Sequence, residues 1–203
     1  MDPHVVAGDD GVMRCWWGAS TPDYAAYHDT EWGFPVDDDH LLFEKLSLEG
    51  FQSGLSWLTI LRKRDNFRRA FHAFDYQRVA EMGEPDVQRL LEDASIVRHR
   101  RKIESTINNA RKAIQLVDEY GSLGAFFWSY EPPDTPAPLL VSESPESWAM
   151  AKELKRRGFT WVGPTTAYAF MQAMGIVNDH LPKCDVIGEV DRARRDFVRP
   201  QRS

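Results

Sequence analysis

The chain has 203 residues, 42% of them hydrophobic, and a formal net charge of −6, which suits one large domain or two small lobes sharing a cleft. It contains no apolar run of about 18 residues, which excludes a membrane-spanning helix. The opening MDPHVVAGDDGVM lacks the basic and apolar regions of a secretory signal, so a cytoplasmic protein is expected.

Residues 1–12 are polar and broken by Gly8, Asp9, Asp10 and Gly11, and are expected to form a disordered extension. Residues 14–35 (RCWWGASTPDYAAYHDTEWGFP) carry five large aromatics plus Phe34. Thr21 at an N-cap and Pro22 at the first helical position open a short helix through His28. Tyr24, Tyr27 and His28 then share one face, as a core stripe or a ligand wall. Asp37–Asp39 cap a helix to about Leu48 that buries Leu42, Phe43 and Leu46. The stretch Glu49–Trp57 (EGFQSGLSW) is expected as a loop, followed by a helix over Trp57–Phe71 with Leu58, Leu61, Phe67 and Phe71 apolar.

Short helices are expected near Tyr76–Met82 and Pro85–Asp93. A longer one is expected over Asp93–Val117, where Ile103, Ile107, Ala110, Ile114 and Val117 keep helical spacing up to a stop at Gly121. Pro132, Pro133, Pro136 and Pro138 mark a surface loop. A helix over Pro145–Arg157 ends at Gly158, and Gly163-Pro164-Thr165 opens the last core helix. Residues 185–203 read as a charged, flexible tail. No strand is expected: the fold class is all-α, with residues 13–184 as a single domain.

Three features carry chemistry. Glu49–Trp57 combines one carboxylate, Gly50, Gly54, Leu55 and an aromatic, either as a helix joint with a solvated Glu49 or as a loop that presents an acid beside an aromatic wall. The basic turn IVRHRRK, between a short and a longer helix, resembles a helix-hairpin-helix, which grips phosphates through N–H groups at a helix N-terminus. The usual hairpin is glycine-rich, and this one has no glycine. Basic clusters at Arg62–Arg69, Arg98–Lys102, Lys155–Arg157 and Arg192–Arg202 are each a solvated face or together one phosphate-facing surface. Finally, Cys15, His28, His180 and Cys184 make a Cys2His2 set that uses both cysteines of the chain. Four such ligands suit a closed, tetrahedral, structural zinc site. The other reading is two buried thiols and two unrelated histidines. A catalytic zinc hydrolase would need an open metal position, which four protein ligands do not leave.

Arg14-Cys15, Asp23-Tyr24, Tyr27-His28-Asp29, Glu31-Trp32-Gly33, Leu48-Glu49-Gly50, Gly54-Leu55-Ser56-Trp57, Arg98-His99-Arg100, Gly158-Phe159, Val162-Gly163, Phe170-Met171-Gln172-Ala173 and Val177-Asn178-Asp179-His180 stand in one order. With these residues the chain resembles the bacterial 3-methyladenine DNA glycosylase I family from about Met13 to Cys184, most specifically in YHDTEWG and VNDH.

The resemblance implies a helix-hairpin-helix glycosylase with two lobes around a base-binding cleft and a zinc-tied lobe joining the N- and C-terminal segments. It implies zinc ligands at Cys15, His28, His180 and Cys184, and base-binding residues at Trp17, Tyr24, Tyr27, Trp32, Glu49 and Trp57, with Glu49 as the catalytic-site carboxylate. Leu55, beside Gly54, is the side chain that fills the gap left by a flipped base. Arg98, His99, Arg100, Arg101 and Lys102 form the DNA-binding hairpin. Ser95 and Arg101 stand where the family usually has glycine, which puts the hairpin geometry in question.

The implied activity is excision of 3-methyladenine from alkylated double-stranded DNA by a monomer, releasing the free base; the alternative is a non-catalytic damaged-DNA-binding module. Aromatic faces attract a cationic base, and Glu49 can accept a hydrogen bond from its amine. No separate catalytic aspartate is evident in these stretches. Lysine is absent from Cys15–Gly33 and Glu49–Trp57, which disfavours a Schiff-base lyase step.

Overall fold

The computed structural model describes residues 4–133 and 140–202. Ten helices dominate these residues: α1 (Pro22–Thr30), α2 (Asp39–Gln52), α3 (Trp57–Ala70), α4 (Tyr76–Ala80), α5 (Glu84–Glu92), α6 (Arg100–Tyr120), α7 (Leu123–Trp128), α8 (Pro145–Arg156), α9 (Pro164–Ala173) and α10 (Ile187–Asp196). Their starts follow from side-chain capping. Thr21, Asp38, Ser56, Asp75, Ser122 and Ser144 each accept a hydrogen bond from a backbone N–H in the first turn that follows. Helix α7 was not anticipated. It has no polar face to give it a period: all six of its residues are buried.

The core is built around α2, which packs against α3, α6, α7 and α9. Leu42, Phe43, Leu46, Leu48 and Phe51 are all but fully buried there, among Phe67, Phe71, Phe74, Ile103, Phe127 and Phe170. Burying one such side chain stabilises the fold by about 1.5–3 kcal/mol. Helix α2 extends past the expected boundary, so Glu49 lies within the helix and not in a loop. Helix α6 starts later than expected. Residues 93–99 form a turn in which the Asp93 carboxylate accepts from Ser95 N at 2.9 Å and His99 caps α6.

Both ends of the chain depart from expectation. Strands β1 (Val5–Ala7) and β2 (Met13–Cys15) pair antiparallel, with Val6 opposite Arg14. Residues 4–12 are therefore ordered. The buried Arg14 guanidinium holds Asp10 at 2.7 Å and Asp29 at 2.6 Å. The region after residue 184 is docked as well. Arg194 is buried and donates to Glu131 at 2.9 Å and to the Ile176 carbonyl at 3.1 Å, while Arg199 also pairs with Glu131. A second, smaller core joins the two ends: Val5, Cys15, Leu181, Cys184, Val186 and Val190. Pro136 and Pro138, expected in a surface loop, lie outside the described residues.

Candidate functional site

A cavity of about 570 Å³ opens between α1, the N-terminal part of α3, the last turns of α2 and the segment around Asp179, within the ~300–1,000 Å³ of small-molecule sites. Its wall is aromatic. Trp17 meets Tyr24 at 5.5 Å and Trp32 at 5.0 Å, both edge-on, and Tyr27 tilts against Trp57 at 5.5 Å. Backbone and side-chain bonds fix these rings. Leu58 N donates to Tyr24 Oη at 2.9 Å, tying α1 to the first turn of α3. Lys45 Nζ donates to Tyr27 Oη at 2.8 Å. Glu49 lies on the same wall, so the structure brings together Trp17, Tyr24, Tyr27, Trp32, Glu49 and Trp57 around one space.

Lys45, Gln172 and Asp179 are among the lining residues to which the sequence assigns no role. Lys45 stands one helical turn before Glu49, 2.7 Å from its carboxylate, with its ammonium 3.4 Å from the Trp57 ring centroid. The groups expected to attract a cationic base therefore already hold an internal cation, and the absence of lysine from two stretches does not describe the cavity. Burial pushes the Lys45 amine below its ordinary range, opposed by the Glu49 charge. The sequence signal was the i,i+4 spacing on an otherwise apolar face. Gln172 and Asp179 also line the cavity, so an aspartate is present after all. Its Oδ2 accepts from Tyr168 Oη at 2.7 Å and Gln172 Nε2 at 2.8 Å.

Beyond the end of α2, Gly54 adopts φ +80, a left-handed conformation that favours glycine. The turn leaves Leu55 42% exposed. Nearby, the basic turn has no residue between 93 and 99 with positive φ, so Ser95 stands there without backbone strain. Lys63 and Asn66 from α3 pin the turn by donating to the Ser95 carbonyl at 2.9 and 3.2 Å. Arg98, His99 and Arg101 are exposed. Arg100 pairs with Glu84 at 2.9 Å and Glu104 at 3.1 Å. Lys102 departs from the solvent-facing placement expected of a phosphate contact. It is 5% exposed and donates inward to the carbonyls of Phe51 and Ser53, at 2.7 and 2.6 Å. These carbonyls are exposed by the end of α2, where a helix leaves its last C=O groups without partners.

Both cysteines and two buried histidines meet beside the aromatic wall. The ligand atoms of Cys15, His28 and Cys184 lie within 4.8 Å of one another, with Cys184 Sγ 3.6 Å from His28 Nε2. His180 sits outside that group of three, its ring centroid 4.8 Å from that of His28. Both rings are oriented from behind. Asp29 holds His28 Nδ1 at 2.8 Å and Asn178 holds His180 Nδ1 at 2.8 Å, leaving the buried His180 Nε2 without a partner. Room for the rings comes from two glycines: a Cβ on Gly18 would stand 2.7 Å from His28, and one on Gly33, at φ +86, would stand 2.8 Å from His180. The neighbouring Cys15 thiol, opposed by burial and aided by His28, lowers the Cys184 thiol below its ordinary range. Burial and then the neighbouring His28 push His180 down to about 4. Thiolate and neutral imidazole are the forms that bind metal.

Residues 16–187 match the methyladenine glycosylase family. The chain is 49% identical over 179 residues to DNA-3-methyladenine glycosylase 1 of Escherichia coli (strain K12), covering 85% of this chain and 96% of that protein. It is 42% identical to the DNA-3-methyladenine glycosylase of Haemophilus influenzae, covering 85% and 97%. A variant of a 3-methyladenine DNA glycosylase I solved in complex with 3-methyladenine superposes with a TM-score of 0.80 at 36% identity, covering 85% of this chain and 96% of that one. The chain belongs to the methyladenine glycosylase family.

Proposed function

We propose that this protein excises 3-methyladenine from alkylated double-stranded DNA, hydrolysing the N-glycosidic bond and leaving an abasic site. It acts as a monomer in the cytoplasm. The observation that carries the reading is the cavity itself: an aromatic box with one buried carboxylate, next to an exposed leucine turn and a basic turn. The damaged base leaves the stack and is held between rings of Tyr24, Tyr27, Trp17, Trp32 and Trp57. Each stacking contact contributes on the order of 1–3 kcal/mol. Glu49 accepts a hydrogen bond from the exocyclic amine. Leu55, turned out by Gly54, fills the vacated space in the duplex. The N-terminus of α6, with Arg98, His99 and Arg101 around it, meets phosphates; Arg100 joins them by exchanging its carboxylate partners.

The methylated base is cationic and needs less general-acid help than a neutral leaving group. When the N-glycosidic bond breaks, its electron pair goes to the base, which departs neutral. The sugar passes through an oxocarbenium-like state, water adds to it, and a proton is lost to solvent. No lyase step follows, because Lys45, the one lysine lining the cavity among the described residues, is committed to Glu49 and Tyr27.

Cys15, His28, His180 and Cys184 would hold one zinc ion. The orphaned His180 Nε2, the two oriented rings and the paired thiols fit that group. Four protein donors leave no open position, so the ion would supply structure and no step of the reaction.

The test is base release from methylated duplex DNA, with products separated by chromatography and borohydride added to a parallel sample. Free 3-methyladenine, abasic sites and no trapped protein–DNA adduct are expected. Binding to damaged DNA without release would instead mark a recognition module.

A further inference from the structure

The proposed reaction leaves one buried charge of the cavity unused. Lys45 and Glu49 are each 6% exposed and pair at 2.7 Å across one turn of α2. An ammonium has three N–H bonds, and this one has three neighbours: the Glu49 carboxylate, the Tyr27 hydroxyl at 2.8 Å and the face of Trp57, 3.4 Å from its centroid. Among the described residues, Glu49 has no partner other than Lys45. A glutamate side chain has three rotatable bonds, and no second polar partner among the described residues fixes this one. Without the ammonium it would be an uncompensated buried charge, which a protein interior strongly disfavours. Tyr27 and Trp57 are themselves walls of the proposed base site, so one ammonium touches three of the groups that the base would meet.

We infer that Lys45 is the positioning residue of this site: it holds the Glu49 carboxylate in place as a fixed acceptor. It acts through Glu49 and exchanges no proton or bond with the base. The assignment rests on the glycosylase reading above and adds to it the part that makes Glu49 a fixed acceptor.

A double-mutant cycle tests it, read as single-turnover release of 3-methyladenine with enzyme in excess, with affinity for the duplex measured separately. Lys45→Met is expected to slow release about 10- to 100-fold, the range that a misplacement near 1 Å produces, and to leave duplex affinity unchanged. In a Glu49→Gln background the same change should cost less than about twofold, the scatter of independent effects, because the carboxylate it serves is gone. Lys45→Gln, which keeps N–H donors and loses the charge, should fall between wild type and Lys45→Met. Should Lys45→Met fail to fold by circular dichroism, Lys45→Gln goes through the same cycle under the same criterion. Equal factors in the two backgrounds, or full activity without Lys45, overturn the inference while the glycosylase reading stands. Wild-type protein that releases no base overturns both.

Discussion

A substitution at Lys102 has two distinct expected readings, one for a buried structural lysine and one for a phosphate contact. The residue sits in the basic run RHRRK, which resembles a phosphate grip, but its ammonium is buried and bonded to Phe51 O and Ser53 O. It ties the start of α6 to the end of α2, which bears Glu49, and to the turn that bears Leu55. A hydrogen bond from a charged donor contributes about 1.5–3 kcal/mol, and two of them gross about 3–6 kcal/mol on that scale. Desolvation offsets part of this; burial is what lowers the Lys102 amine below its ordinary range. Lys102→Met keeps the volume and loses both bonds, so a net loss of about 2–4 kcal/mol is expected. At about 2–4 °C per kcal/mol for a chain of this size, Tm should fall by roughly 4–16 °C.

Differential scanning calorimetry reads that shift. Titrations of duplex DNA across a range of salt read the other possibility. A lysine on a phosphate adds about 0.9 to the slope of log K against log salt, and a buried lysine adds nothing. Lys102→Met should therefore leave the slope unchanged, whereas Arg98→Ala and Arg101→Ala should each reduce it by about 0.9 with Tm little altered. A Lys102→Met protein with wild-type Tm and a slope lower by one contact would refute the reasoning.

Three further outcomes follow from the geometry. Cys184→Ser, or a strong chelator, should abolish zinc binding and lower the melting temperature, since metal binding to folded ligands adds to folding stability; unchanged metal content by atomic absorption would count against the proposed zinc site. Leu55→Ala should leave stability within about 0.5 kcal/mol, as expected of an exposed side chain, and slow base release about tenfold; an unchanged single-turnover rate would remove Leu55 from the duplex. Arg194→Met should destabilise the fold by about 2–3 kcal/mol, less than the ~3–5 kcal/mol of a fully buried pair, because Arg199 still partners Glu131; urea unfolding with a wild-type midpoint would mean that the segment after residue 184 is not docked.

Local chemistry made much of the helical frame legible. Thr21 before Pro22, the aspartates before α2 and the four-three spacing in α6 all act within a turn of the residue that reads them. The end of α2 was not legible in this way. Gly50 disfavours a helix interior by about 1 kcal/mol, so the sequence reads as a stop. The helix nevertheless runs on to Gln52, because Phe51 is 1% exposed in the core and its burial outweighs the local preference. Long-range pairing hid the two ends. Arg194 and Glu131 are 63 residues apart, and the Arg14 guanidinium, held also by Asp29, turns Asp10 from a sign of disorder into an anchor.

The candidate site shows a third kind of limit. Its aromatic residues and Glu49 were legible as types, but their charge balance was not. Lys45 lies four residues before Glu49, a spacing any helix places on one face. A loop that begins at Glu49, as the sequence suggests, leaves that lysine on a separate element. Placing Glu49 inside α2 makes the lysine unavoidable: a buried carboxylate in a helix must find a cation or lose its charge, and one turn back is the nearest place to find one. The same logic corrects Lys102, where a basic run was read by its sign alone. In this fold a lysine's direction depends on which backbone carbonyls lie within reach, and Phe51 O and Ser53 O are free to take it only because α2 ends there.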